Sequence, residues 1–528
     1  MNRVGPHPND GLLKRYFGKE LDPAIFYIII ALTVPFVVLG AFWPQALATV
    51  SNTAVGFVFK AFQSTYLLGV TGILLFCIAI AFSPFGKVRL GRDDEKPEFS
   101  TFSWFSMLFS AGMGIGLIFW SVSEPLVHMA APPTGEANTF AAARLGLEIY
   151  FFHWGFHAWA IYAIVALAIA YFQYRRGHGA MISRSLIPLI GEKHANGMTG
   201  RVVDAFAAWA TIFGVVTGLG MGGMQMASGI SSLTGIPGGT NTTTILILLV
   251  TLAFVISAIT GVSKGIKHLS NLNVVLMFVL IAFFVIFGPT AYIFKTLWMG
   301  FSDYMTDLPK LSFATTLFGN DGWTRGWTVF FWAFWIAWAP FVGAFIARIS
   351  RGRTIKEFIL GVVILPPLFS FIFSAALGGT TLHLQFVQDI NVSEVINQDL
   401  AMALFETLRH LPLFHIMTGV SLILIFSFLI TSCDSATYVA ARFATSGVDV
   451  EDPKAGHRLT VTFGVILGLL TVVFNYSGGL KGLQTATIVG SVPYFMIMVL
   501  SIVALVKDLI QNELPALKEA KALETDNA

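Results

Sequence analysis

The segment "WTVFFWAFWIAWAPF" places four tryptophans, Trp327, Trp332, Trp335 and Trp338, within fifteen residues. The last three step by three, so on a helix they form one stripe. A second segment, "FFHWGFHAWAIYA" (151–163), carries Trp154, Trp159 and Tyr162, the last two as i,i+3 neighbours. The faces of indole and phenol rings attract cations. Each contributes about 0.5–2 kcal/mol, and quaternary ammonium groups, which hydrogen bonds cannot hold, are the common guest. Aromatic belts at a membrane interface would also collect tryptophan. That alternative suits Trp327. It suits Trp335 and Trp338 less, because they fall in the middle of an apolar run, where core or lipid-facing packing is the competing reading.

Two further segments offer backbone and hydroxyl oxygens. "SAGMGIGLIFWSVSEP" (110–125) has Gly112, Gly114 and Gly116 at alternate positions, and each glycine costs a helix about 1 kcal/mol relative to alanine. Irregular backbone at membrane depth survives where it lines a cavity, and transporters use such broken helices to bind ions and solutes. Close helix packing through small residues is the alternative. A dinucleotide fingerprint is excluded here, because Leu117 stands where a third glycine is needed. "GLGMGG" (218–223) matches that pattern but lies inside an apolar run, so it reads as a packing or unwinding feature. In "SFLITSCDSATY" (427–438), Thr431 and Ser432 offer hydroxyl oxygens beside backbone carbonyls, a donor set for a hard monovalent cation. Hydrogen bonds back to their own helix are the alternative.

These residues need a scaffold, and the composition names it. Of 528 residues, 55% are hydrophobic and 12% charged, about half the charge of a soluble protein. The chain reads as an all-α polytopic membrane protein with twelve spans of about 20 residues: 24–44, 64–84, 104–130, 147–173, 203–232, 242–261, 272–295, 326–347, 357–378, 413–437, 459–477 and 485–506. Residues 1–23 form an N-tail, 24–507 one transmembrane domain and 508–528 a short C-tail. The N-tail has no apolar core with a small-residue cleavage site, so insertion is expected to use the first span. Sorted by alternating connections, 25 Lys and Arg fall on the side of the termini and 7 on the other. The positive-inside rule then puts both termini in the cytoplasm of a cell whose inner membrane holds the chain. Residues 296–325 are expected to include a short interfacial helix, and 379–412 has amphipathic spacing. Cys77 and Cys433 lie in apolar runs and imply neither a disulfide framework nor a zinc site.

Together, "AGMGIGL", "HWxxHxWAIYA", "WAFWIAWAPFVGAFIARISRGRTIKEF" and "ITSxDSA" closely resemble the betaine/carnitine/choline transporter family over about residues 22–510. The resemblance implies a LeuT-like fold of two inverted five-helix repeats, spans 3–7 and 8–12, after two extra helices, and a homotrimer. It puts the aromatic box on Trp154, Trp159, Tyr162, Trp335 and Trp338, with Phe334 where sodium/betaine members often have another tryptophan. It maps the unwound stretch to Gly112, Met113, Gly114, Ile115 and Gly116. One sodium site maps to Ser110, Met113, Phe428, Thr431 and Ser432. A second maps to Thr211, Val215 and Phe341, where Val215 supplies no oxygen and relatives with two sodium ions have threonine. Gly116, where choline-selective relatives can carry aspartate, suits a solute that brings its own carboxylate.

The expected activity is therefore sodium-coupled symport of a trimethylammonium zwitterion, glycine betaine first, with no cofactor, no nucleic-acid partner and lipid as surroundings. A choline or carnitine carrier, proton-driven or exchanging, is the alternative. A remote one is an intramembrane metalloenzyme using His153 and His157, which lack an HExxH frame. Glu124 and Asp204 are expected to make structural pairs near span ends. Asp434 is expected to support the sodium hydroxyls.

Overall fold

A computed structural model describes residues 11–112, 114–260, 263–445, 447 and 452–519. Among these the regular structure is helical, with a single isolated bridge between Arg89 and Thr354. Ten helices are long and apolar enough to cross a membrane. The third span is present as two pieces, Thr101–Gly112 and Ile115–Ala130. The last two spans run as one helix, Pro453–Asp508, interrupted at Gly478 and Gly479. Gly479 takes a φ of 55° there, a left-handed turn that glycine makes without a steric penalty. The expected twelve spans are thus all present.

Burial sorts them into inner and outer helices. The first span, Pro23–Phe42, exposes Tyr27, Val34 and Val38 to the position of lipid, whereas the fifth, Met198–Thr234, is buried along almost its whole length. "GLGMGG" lies within that fifth helix, which is continuous, so its glycines serve packing. A side chain at Gly220 would collide with Leu483, and one at Gly222 would meet Leu429 and Ile115.

Several expected boundaries move. The second span belongs to a helix of 39 residues, Pro44–Phe82, because the helix continues beyond its apolar stretch. The seventh ends at Phe287, and Thr290–Phe313 forms a separate helix that starts earlier than the expected interfacial one. The outer segment with amphipathic spacing forms helices whose apolar residues pack into the protein. Its helices Val392–Gln398 and Ala403–Arg409 bury Val392, Ile396, Leu404, Phe405 and Leu408. The space beside Gly229 is filled by Phe405, and Ser228 donates to Asp399 at 2.6 Å.

The basic connections gather on one face, as the alternation requires. Asp22 pairs with Arg201, and Asp93 and Glu513 with Arg175. Glu98 pairs with Arg348, and Glu95 with Arg351. Arg176 pairs with Asp508, near the end of the described chain. These bonds join the N-terminal segment, the 87–98, 175–201 and 348–356 connections and the C-terminal segment.

Candidate functional site

The glycine run breaks its helix. The first half ends at Gly112 and the second begins at Ile115, with Gly114 extended at φ −127°, ψ −164°. Among the described residues, nothing lies within 4 Å of where a Gly114 side chain would be. A β-carbon at Gly116 would stand 3.1 Å from the Trp154 ring and 3.5 Å from Phe334. The break therefore abuts the aromatic residues that the sequence singled out.

Those residues come together around Trp335. Its ring centroid lies 5.2 Å from Trp154, 6.1 Å from Trp159, 5.0 Å from Tyr162 and 6.4 Å from Phe334. Trp338 follows at 5.9 Å from Phe334, and Phe341 at 6.0 Å from Trp338. All six box residues are buried. Two indoles are pinned to backbone: Trp335 donates to the carbonyl of His153 at 3.0 Å, and Trp338 to that of Gly214 at 2.9 Å. Gly214 and Gly218 have no side chain to block the Trp338 ring, which lies 3.0 Å from either missing β-carbon. The stripe is a packed aromatic site rather than an interfacial belt.

A second break, which the sequence reading did not single out, shapes the site. The fourth span is two helices, Phe140–Trp154 and Phe156–Ala170, separated at Gly155 with φ −91°, ψ −146°. The break frees the Phe156 N–H, which donates to the Tyr304 hydroxyl at 3.2 Å. It also undoes the i,i+4 register of His153 and His157. His157 lies near Thr71, at 3.4 Å, and stacks on Trp332. His153 instead faces Glu124 from Nδ1 at 2.6 Å and Thr328 from Nε2 at 2.8 Å. The pair expected by the metalloenzyme reading is not formed.

The carboxylate of Glu124, expected to make a structural pair near a span end, finds its partners on the fourth span. It sits fully buried within the second half of the third span, accepts from the Trp154 indole at 2.9 Å, and has His128 Nε2 at 3.4 Å. Glu124, His128 and His153 lie close enough for a metal cluster. Both imidazoles face the same carboxylate oxygen, Oε1. Asp204 makes the structural pair expected of it, accepting from the amide and hydroxyl of Ser183 at 2.9 and 2.7 Å.

In the tenth span, Leu429 packs on Gly222 together with Ile115, which places Phe428, Thr431 and Ser432 at the height of the glycine break. Both hydroxyl residues are part-exposed. Thr431 bonds back to the carbonyls of Ser427 and Phe428 at 3.1 Å each, and the amide of Asn273 donates to it at 3.2 Å. Asn273 also accepts from Ser427 at 2.5 Å. A polar residue in the apolar seventh span was the available signal for it. Met113 lies outside the described residues, as does the side chain of Ser110. At the second mapped site, Thr211 bonds back to Ala207 at 2.9 Å, and Val215 is buried.

A cavity of about 770 Å³ runs from Phe341 past Asp434 to Arg348, Arg442 and His457. It joins the end of the aromatic stripe to the face that carries the basic connections. Asp434 thus faces an open path, two residues beyond the hydroxyl pair.

The chain matches the model of the family described as "BCCT, betaine/carnitine/choline family transporter" over residues 24–514. It is 42% identical over 506 residues to the glycine betaine transporter OpuD of Bacillus subtilis, covering 95% of this chain and 97% of that one. It is 38% identical over 497 residues to the ectoine/hydroxyectoine transporter of Virgibacillus pantothenticus, covering 94% and 98%. It is 37% identical over 505 residues to the osmo-dependent choline transporter BetT2 of Acinetobacter baylyi, covering 95% and 72%. With its broken third span, its buried aromatic site and these matches over nearly its whole length, the chain belongs to the betaine/carnitine/choline transporter family and is a multi-pass membrane transporter, not an enzyme.

Proposed function

We propose that the protein takes up glycine betaine, a trimethylammonium zwitterion, across the cell membrane and couples that uptake to sodium. The observation that carries the substrate class is the ring cluster of Trp154, Trp159 and Tyr162 around Trp335. Gly116 selects within the class. It borders this cluster and adds no charge, so a lone cation such as choline finds no counter-ion on that residue. A zwitterion carries its own carboxylate, for which the open backbone beside Gly114 offers amides. The relatives' names span glycine betaine, ectoine and choline, and uncharged Gly116 favours the zwitterions over choline.

The coupling ion is assigned to the carbonyl of Phe428 and the hydroxyls of Thr431 and Ser432, with Ser110 and Met113 completing the set. Sodium takes oxygen ligands, and the Thr431 hydroxyl, which accepts from Asn273, has a second lone pair to offer. One sodium ion is proposed, because Val215 leaves the second set with the Thr211 hydroxyl but without the hydroxyl that a threonine at 215 would add. Alternating access is the mechanism. The cavity on the basic face is the exit to the cytoplasm, where both termini lie, and the helices of residues 392–409 cover the opposite side. The two inverted repeats rock against each other within each unit of a homotrimer.

Labelled glycine betaine uptake into proteoliposomes, with and without an inward sodium gradient at equal pH, tests the reading. Accumulation that needs the gradient, and that Thr431→Val abolishes, is the expected result. Equal uptake in both conditions would overturn the sodium coupling and favour a proton-driven or exchanging carrier.

A further inference from the structure

We infer that Glu124 is a positioning residue of the ammonium site, holding two of its tryptophans through one hydrogen-bonded knot. The inference rests on the proposed aromatic site and assigns a role to a residue outside it. Glu124 lies within the third span, beyond its break, and is 0% exposed. Its Oε2 accepts from Trp154 Nε1 at 2.9 Å. Its Oε1 lies 2.6 Å from His153 Nδ1, and the carbonyl of that same His153 accepts from Trp335 Nε1 at 3.0 Å. The ring of His153 is held at its far end by Thr328, on the helix that leads to Trp335. One carboxylate thus links the third, fourth and eighth spans behind the rings.

The polarity of the knot is fixed by Trp154, because an indole N–H can only donate. With Glu124 as the acceptor, the Trp154 ring is held by the carboxylate at its edge and by Tyr150, stacked on it at 5.6 Å and 14°, besides the rings of Trp335 and Phe331. The titratable groups facing the carboxylate are His128 and His153, and the phenol of Tyr150 lies on the far side of Trp154. A buried carboxylate is costly unless its partners are in place, and here the partners are site residues or their neighbours.

The role predicts a specific mutational pattern. Glu124→Gln keeps an oxygen for the Trp154 N–H and an amide for His153. Glu124→Asp keeps the carboxyl group but is one methylene too short to reach Trp154. Glycine betaine binding, measured by calorimetry in sodium buffer, is expected to weaken by less than threefold in E124Q and by tenfold or more in E124D and E124A. Thermal melts identify variants that fail to fold, and E124D keeps the test open if E124A does. In a Trp154→Phe background, which has no N–H, E124A should cost less than it does in wild type, because only the route through His153 to Trp335 remains. Affinity in E124D within threefold of wild type, or full additivity with W154F, would overturn the inference. A ligand-independent readout separates it from the proposed function. The ultraviolet resonance Raman band for the Trp154 indole N–H, obtained as wild type minus W154F, should shift toward a weaker hydrogen bond in E124D. If wild type binds no trimethylammonium solute, the proposed function fails while this band still decides the role of Glu124. An unshifted band refutes it.

Discussion

Trp154 and Trp335 meet edge to face, with centroids 5.2 Å apart and planes at 77°. One comes from the last residue before the break in the fourth span, the other from a continuous helix in the eighth. The edge of one ring thus points at the face of the other, while Tyr150 stacks on Trp154 and Tyr162 meets Trp335 edge to face. Trp335 is the ring that Trp154, Trp159 and Tyr162 share.

Trp335 is therefore the residue whose loss should cost most. Trp335→Phe keeps an aromatic face but loses the bond to His153, and Trp335→Leu loses both. With about 0.5–2 kcal/mol per face, at 1.4 kcal/mol per tenfold, the leucine variant should bind glycine betaine roughly tenfold or more weakly, with phenylalanine in between. Binding calorimetry on purified protein checks the order. Equal affinity in all three would remove Trp335 from the site.

Gly116 gives a test of charge selection. A β-carbon there has 3.1 Å to Trp154 and 3.5 Å to Phe334, so Gly116→Ala must push one ring aside and should weaken binding severalfold. Gly116→Asp adds the same crowding plus a negative charge beside the ammonium position. The ratio of glycine betaine to choline uptake should fall at least tenfold relative to the alanine variant. A ratio unchanged between alanine and aspartate would show that the charge at this position does not choose the solute.

Spans announce themselves in the sequence by apolar length. The basic connections do so by their alternation, and in the fold they form ion pairs such as Glu95–Arg351 and Asp22–Arg201. The stripe through Trp335 and Trp338 and the break at Gly114 are local, so spacing and composition reveal them. The Glu124–His153 bond joins residues 29 apart on different helices, and Asn273–Thr431 joins residues 158 apart; no periodicity carries that information. Gly155 is hidden for another reason. A single glycine in an apolar run is usually tolerated by a helix, and here its break depends on Tyr304 from a distant segment. The burial of residues 392–409 is hidden because an amphipathic pattern fits a protein surface as well as a membrane surface.

The Gly155 break makes a stability prediction. Its φ of −91° is open to any residue, so the need for glycine is steric: a β-carbon would meet the Phe151 carbonyl and stand 2.6 Å from the Tyr304 hydroxyl. Gly155→Ala should lower the melting temperature by several degrees. Tyr304→Phe takes from the part-buried Phe156 N–H its acceptor, at up to about 1–3 kcal/mol, and should do the same. Differential scanning fluorimetry in detergent measures both, and an unchanged melt in Tyr304→Phe would show that this bond is dispensable.

The 87–98 connection should loosen in acid. The Glu95 carboxyl is held below its ordinary value chiefly by the backbone N–H of Arg92 and then by Arg351, and Glu98 is held low chiefly by Arg348. A carboxylate with a lowered folded value stabilises the fold above the ordinary range of about 4. That contribution disappears as pH falls through the lowered value. At neutral pH the connection is therefore pinned to the end of the eighth span by Glu95–Arg351 and Glu98–Arg348. Hydrogen exchange across residues 87–98, corrected for intrinsic rates, should show protection that is steady from neutral pH down to roughly 5 and lost below about 4. Glu95→Gln combined with Glu98→Gln should show that low protection already at neutral pH. Protection in the double variant equal to wild type would mean that these pairs do not hold the connection.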